Sequence, residues 1–161
     1  MTKIANAAYF GTTGSLALAD DDYTAAVTSC AIVPAAPTAS TTDIGGGVTQ
    51  FVGGNVWVAQ VGYNQDWKTP DSFSQKLIEL HGQRKEFTYT PDDGGQVVTF
   101  TAVVLAGQVG GGAGAIHAAT VNLPIDGQPT FTAPAPVAGR MASVADDEAV
   151  ADEADADDEI L

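Results

Sequence analysis

Hydrophobic and polar residues change period several times along the middle of this chain. Over 56–65, Trp57, Ala59, Val61 and Tyr63 alternate with Val58, Gln60, Gly62 and Asn64. Period two predicts a half-buried strand. The period then lengthens: Phe73, Leu77 and Leu80 recur at i, i+4 and i+7, one apolar face of a helix predicted over 69–82. Thr69 suits its N-cap, Pro70 its first turn, Asp71 the positive end of its dipole and Gly82 a left-handed stop. So short a helix needs a sheet to pack on. Alternation returns at 86–89, with Phe87 and Tyr89 on one face. The run Pro91-Asp92-Asp93-Gly94-Gly95 predicts a hairpin turn. The clearest strand follows over 96–105, then a glycine-rich connection over 107–114 and a long strand over 115–125. Asp126-Gly127 predicts a turn, and Phe131 and Thr132 a further short strand.

The flanks are less periodic. Residues 1–22 read as an N-terminal arm with little structure of its own. Residues 23–33 are rich in Val, Thr and Ala and predict the first strand, ended by Pro34 and Pro37. Residues 35–55 read as one long loop, mobile or functional at that length, holding a short strand candidate over 48–52. Residues 133–161 read as a Pro/Ala linker and an acidic tail with too little apolar bulk to fold alone, expected to be disordered. That leaves one domain over 23–132. The expected fold is mainly β: a β-sandwich or partly rolled set of antiparallel sheets, with one flanking helix, a long stacking loop and flexible terminal arms.

Composition agrees with this picture. In 161 residues only 16% are charged and 18 are Gly, which suits a β protein better than a helical one. Charge is uneven. The first 140 residues hold 11 acidic and 6 basic side chains, and the last 21 hold nine more acids and no base, for a net charge of −14. Clustered Lys and Arg, which phosphate neutralisation needs, are missing, so the chain is not expected to grip nucleic acid. No apolar run approaches the length of a membrane helix, and polar residues interrupt any signal-peptide core near the N-terminus. Synthesis in the cytoplasm is the expectation.

No motif points to chemistry. Gly110-Gly111-Gly112-Ala113-Gly114-Ala115 loosely matches a dinucleotide fingerprint, but β-branched strand follows it instead of helix. Cys30 lies in an apolar run and reads as a buried, inert thiol. His81 closes the predicted helix and His117 lies in a predicted strand, two isolated imidazoles with no Cys/His cluster for zinc. Asp20-Asp21-Asp22 and Asp92-Asp93 lack the Gly and terminal Glu of a calcium loop. No serine sits in a nucleophile elbow. The expectation is a protein that is not an enzyme and holds no cofactor or metal.

The order of elements resembles that of phage major tail proteins, the tail tube subunits of long non-contractile tails. The residues that carry the resemblance are Val61-Gly62-Tyr63-Asn64-Gln65-Asp66-Trp67-Lys68-Thr69-Pro70-Asp71-Ser72-Phe73-Ser74, Leu80-His81-Gly82, the 87–91 and 97–104 strands, and the closing Leu123-Pro124-Ile125-Asp126-Gly127-Gln128-Pro129. It covers roughly 23–132. The resemblance implies a β-sandwich flanked by one helix and hexameric rings stacked into a tube. It implies sheets joined edge to edge around a channel, through which DNA passes without specific binding. It implies ring-to-ring contacts by a long early loop, here 35–55, and by terminal arms, here 1–22 and 132 onward. Partners would be further copies of the chain, the tape-measure protein and the tail-terminator or tip proteins. Its place would be the virion tail, after synthesis in the bacterial host cytoplasm. The acidic tail departs from the pattern, and the resemblance gives it no role.

Physical reasoning points the same way. Uncharged strands with open edges pair with other chains. The 96–105 strand has no charge, so Val98, Phe100 and Val104 are expected to serve self-assembly, together with Ile44, Val48, Phe51 and Val52 of the long loop. The rival expectations are a capsid decoration or cement protein, and a carbohydrate-binding β-sandwich using an aromatic platform built from Trp57 and Trp67.

Overall fold

A computed structural model of the chain describes residues 2–4, 6, 8 and 11–133. Ten strands and one helix follow in order: β1 (Ser15–Leu18), β2 (Asp21–Asp22), β3 (Val27–Ala35), β4 (Thr38–Thr42), β5 (Val48–Val52), β6 (Val56–Asn64), α1 (Phe73–Glu79), β7 (Arg84–Thr90), β8 (Val97–Val103), β9 (Ala118–Ile125) and β10 (Thr130–Thr132). Eight strands form one antiparallel sheet, ordered β2-β1-β7-β8-β9-β6-β3, with β10 also on β8. The other two, β4 and β5, pair only with each other. The fold is mainly β, as expected.

Alternation decides which face of the sheet is dry. Along β8, Val98, Phe100 and Ala102 are buried, and along β9, Ala119, Val121, Leu123 and Ile125. The sheet is rolled rather than flat. Strands β8 and β9 register through the single pair Ala102–Ile125, and β10 takes the rest of that edge of β8, pairing Thr130 with Thr99 and Thr132 with Val97. The turn between β9 and β10 is fixed there by Asp126 N–H donating to Thr101 O at 2.7 Å, with Gly127 at φ 81°. Rolling brings side chains from both halves of the sheet into one core: Leu16, Leu18, Phe87 and Phe100 from one, Ala59, Val61, Tyr63 and Leu123 from the other. The Phe87 and Phe100 rings stack across registered strands, centroids 5.4 Å apart. Each such side chain contributes about 1.5–3 kcal/mol by leaving water.

The helix seals one side of that core. Phe73, Ser74 and Leu77 form its buried face, and the Phe73 ring meets Tyr63 edge-on at 5.1 Å and Tyr23 at 5.2 Å. It starts later than the sequence predicts. Asp71 adopts φ 59°, which no helical residue does, so Ser72 rather than Thr69 is the N-cap residue. The stretch before it is a turn built on Asp66, whose Oδ1 accepts Lys68 N–H at 2.9 Å and Thr69 N–H at 3.1 Å. Ser72 Oγ donates to Asp66 O at 2.6 Å instead of capping the helix. Gly82, at φ 81°, ends the segment as expected, and its N–H donates to Val104 O.

Three other expectations are corrected. Residues 15–22 are not part of a loose arm: β1 pairs with β7, and Leu16 and Leu18 are among the most buried residues. The first long strand spans β3 rather than 23–33 and runs through Pro34, which a strand paired on one side tolerates. Strand β8 has no open edge, since β7 lies on one side and β10 and β9 on the other. The expected acidic tail, beyond Ala133, lies outside the described residues.

Candidate assembly surface

The candidate site is a surface, and it grows out of one ribbon. Strands β3 and β6 pair from Val27–Tyr63 to Ala35–Val56. The same two chain segments separate at Ala36-Pro37 and Gly53-Gly54-Asn55, then pair again as β4 and β5, from Thr38–Val52 to Thr42–Val48. Gly53 N–H donates to Pro37 O at 2.8 Å across this interruption. Gly53 is required there, since a Cβ would lie 2.8 Å from Pro37 Cγ. The outer half of the ribbon is a finished hairpin. At its tip Asp43 Oδ1 accepts Gly45 N–H and Gly47 N–H, both at 2.8 Å, and Gly46 takes φ 84°.

The region 35–55, expected to be a loop, is therefore a projecting β-hairpin. All ten residues of β4 and β5 are exposed. At about 3.3 Å per residue, the segment from Ala36 to Asp43 reaches on the order of 25 Å. A lone two-stranded hairpin is marginal in water. This one also shows Ile44, Val48, Phe51 and Val52 to solvent and has Asp43 as its single charge. Among the described residues, six of the twelve exposed large apolar side chains lie on this ribbon, the others being Val33 and Val56 at its bend.

The seven residues expected to serve assembly thus divide. Ile44, Val48, Phe51 and Val52 gather on the hairpin. Val98 and Phe100 are at most 5% exposed and Val104 is fully buried, so these three build the subunit's own core instead. The open edge lies elsewhere. Among the described residues strand β3 is paired only with β6; it runs nine residues and bears no charge. The opposite edge, β2, is two residues long and both are Asp, the usual way of blunting an edge. Sequence reasoning missed β3 as the edge because no local pattern tells an edge strand from a central one. It missed β4 because Thr38-Ala39-Ser40-Thr41-Thr42 shows no contrast between faces.

The remaining candidates have structural partners. His81 Nδ1 accepts Ala106 N–H at 2.9 Å, and His117 Nε2 lies 3.2 Å from Gly112 O. No group of three metal-ligating side chains occurs among the described residues. A cleft of about 430 Å³ separates β1 from the start of β3, lined in part by Leu16, Thr24, Val27, Ser29 and Cys30. Its described lining residues include no carboxylate or imidazole, and burial pushes the Cys30 thiol up to about 12. Such a thiol stays protonated at neutral pH and is a poor nucleophile. Trp57 packs near Phe131 at 6.2 Å and is part of the core margin, while Trp67 donates its indole N–H to Gln65, so the two tryptophans form no common platform. No helix among the described residues is long and apolar enough to cross a membrane.

No family model and no curated protein matches the chain. Solved structures do. A chain from the virion of a native gene transfer agent particle aligns over 78% of this chain and 100% of its own, with TM-score 0.59 and 18% identity. A chain from the sheath–tube complex of an extracellular contractile injection system, in its extended state, aligns over 75% of this chain and 88% of its own, with TM-score 0.52 and 12% identity. The fold is one used in a virion and in an injection system. At these identities the likeness is one of fold, and it matches the architecture that the resemblance to tail proteins implies.

Proposed function

We propose that the chain is a structural virion protein, the tail tube subunit of a phage-like particle, which assembles with itself into stacked hexameric rings. The observation that carries this reading is the hairpin β4–β5: ten exposed strand residues, exposed Val48, Phe51 and Val52, and one charge, with nothing among the described residues to cover it. An element like this is stable when a neighbour covers it. The uncharged nine-residue edge β3 supports the same reading, since a neighbouring copy would satisfy its open hydrogen-bonding groups. The fold shared with chains of a virion and an injection system supports it further.

Six subunits per ring, and the tape-measure and tail-terminator or tip proteins as partners, follow from the resemblance to tail proteins. The channel would conduct DNA during ejection without binding it, as a net charge of −14 favours. The protein performs no chemistry in this role. Negative-stain electron microscopy of the purified chain, and of particles containing it, tests the reading. The expected result is rings or tubes in solution and the chain in the tail. A protein that stays monomeric in every condition and is missing from virions would overturn it.

A further inference from the structure

The chain has two histidines, and both hold the same loop. This loop, 104–117, joins β8 to β9 and is tied down in four places. At its start Val104 N–H donates to Gln83 O at 2.9 Å, and Val104 O accepts Gly82 N–H at 2.8 Å. Ala106 N–H donates to His81 Nδ1 at 2.9 Å. In its middle, Gly110 N–H donates to Gln65 Oε1 at 2.8 Å, and Gly110 O accepts Gln65 Nε2–H at 3.1 Å. At its end His117 O accepts Gln65 N–H at 2.7 Å, and His117 Nε2 lies 3.2 Å from Gly112 O. Among the described residues, the backbone bond between the fixed points Val104 and Gly110 is the one from Ala106 to His81. Gly107, next along, lies on the phenol oxygen of Tyr63, where a Cβ would overlap Tyr63 Oη. Tyr63 is buried, and burial pushes its phenol up, so it stays protonated in neutral and acid solution.

The four attachments differ in their response to acid. A backbone N–H can only donate, so His81 Nδ1 must present a lone pair, and the imidazole is neutral with its proton on Nε2. A second proton would set N–H against N–H. His117 Nε2 faces a carbonyl oxygen instead, and a proton there serves in the neutral and the charged ring alike. The bonds from Gln65 and between main-chain groups do not titrate. Residues 104–109, packed against His81, include no charged or titratable side chain. Its own helix carries Lys76 and Glu79, bonded to each other at 3.0 Å. The strand that follows opens with Arg84, bonded to Asp126 at 2.8 Å, and Lys85. Both of these carboxylates thus already have a cation.

We infer that residues 105–109 form a strap over Tyr63 that neutral His81 latches and its imidazolium releases. The device does not depend on the tube reading. Above the titration of the imidazole the strap is shut. Below it, Ala106 N–H loses its acceptor while Val104 and Gly110 stay fixed. Gly110, at φ 89°, is a backbone position free to absorb the movement, and lifting Gly107 admits water to Tyr63 Oη.

Amide hydrogen exchange of the full-length chain, read by mass spectrometry and corrected for the intrinsic effect of pH, tests this. Measurements at about pH 8 and about pH 5 span the interval in which an imidazole changes charge. The 104–109 segment should exchange on the order of fivefold faster at the lower pH, the effect of losing one hydrogen bond, and 110–117 should not change. His81→Asn sets an amide oxygen near the position of Nδ1 and gains no proton, so the strap should stay protected at both pH values. His81→Ala should leave it unprotected at both. Loss of the pH effect in both variants supports the latch. Equal corrected exchange of 104–109 at the two pH values in the unsubstituted chain would overturn it, as would a pH effect that persists in either variant.

Discussion

Residues 27–64 form one ribbon whose two halves meet opposite fates. The inner half, β3 and β6, lies on the body, and Ala59, Val61 and Tyr63 of β6 are at most 1% exposed. The outer half, β4 and β5, has the same antiparallel pairing and similar residues, and every one of them is exposed. Backbone pairing is thus common to both halves and cannot be what distinguishes them. What differs is cover. The inner half is stabilised by the subunit's own core, whereas the outer half has a preformed tip, four exposed large apolar side chains and, among the described residues, nothing beneath them. An exposed apolar hairpin on a well-packed body has the character of an interaction surface.

Matched truncations on the two halves should separate these roles most widely. Tyr63→Ala removes a fully buried ring that packs on Phe73, and should cost about 3–5 kcal/mol. Phe51→Ala should change subunit stability by no more than about 0.5 kcal/mol while weakening polymerisation. Urea unfolding of the dispersed subunit, together with sedimentation of the assembled protein, reads both quantities. Equal losses of stability at the two positions would break the comparison.

A smaller effect concerns acid. Hydrogen bonds from Thr69 and Lys68 hold the Asp66 carboxyl below its usual 3.8. A carboxyl depressed in the folded state stabilises that state above its unfolded pKa, and the contribution is lost as pH falls through the folded value. The turn at 66–72, and with it the helix start, should therefore loosen slightly below pH 3.8. Asp66→Asn should flatten that part of the pH dependence, measured as the urea midpoint at neutral and acid pH. An unchanged slope would show that Asp66 does not hold the turn.

Much of the body is legible in the sequence, because burial writes a period into it. The alternations in β6, β8 and β9 identify strands and their inward residues, and the spacing of Phe73 and Leu77 identifies the helix face. Other parts leave no such mark. Strand β1 is four residues between Gly14 and Ala19, too short for a period, yet it buries Leu16 and Leu18. The helix start depends on the left-handed Asp71, a backbone choice that the favourable residues Thr69 and Pro70 conceal. The absence of charge in 96–105 suggested an open edge, but it reflects burial in mid-sheet, and Val98, Phe100 and Val104 belong to the core. On the hairpin, Val48, Phe51 and Val52 were legible as apolar. Their exposure was not, since it depends on what the rest of the chain leaves uncovered.

The most direct test of the central claim is to remove the outer ribbon alone. Deleting residues 39–46 takes away the tip and most of β4, none of which packs on the core. The subunit should fold with its urea midpoint almost unchanged, within about 0.5 kcal/mol of the full chain, and electron microscopy should find no tubes at concentrations where the full chain forms them. Tubes of normal length and number from the deleted protein would contradict the assignment of the hairpin to assembly.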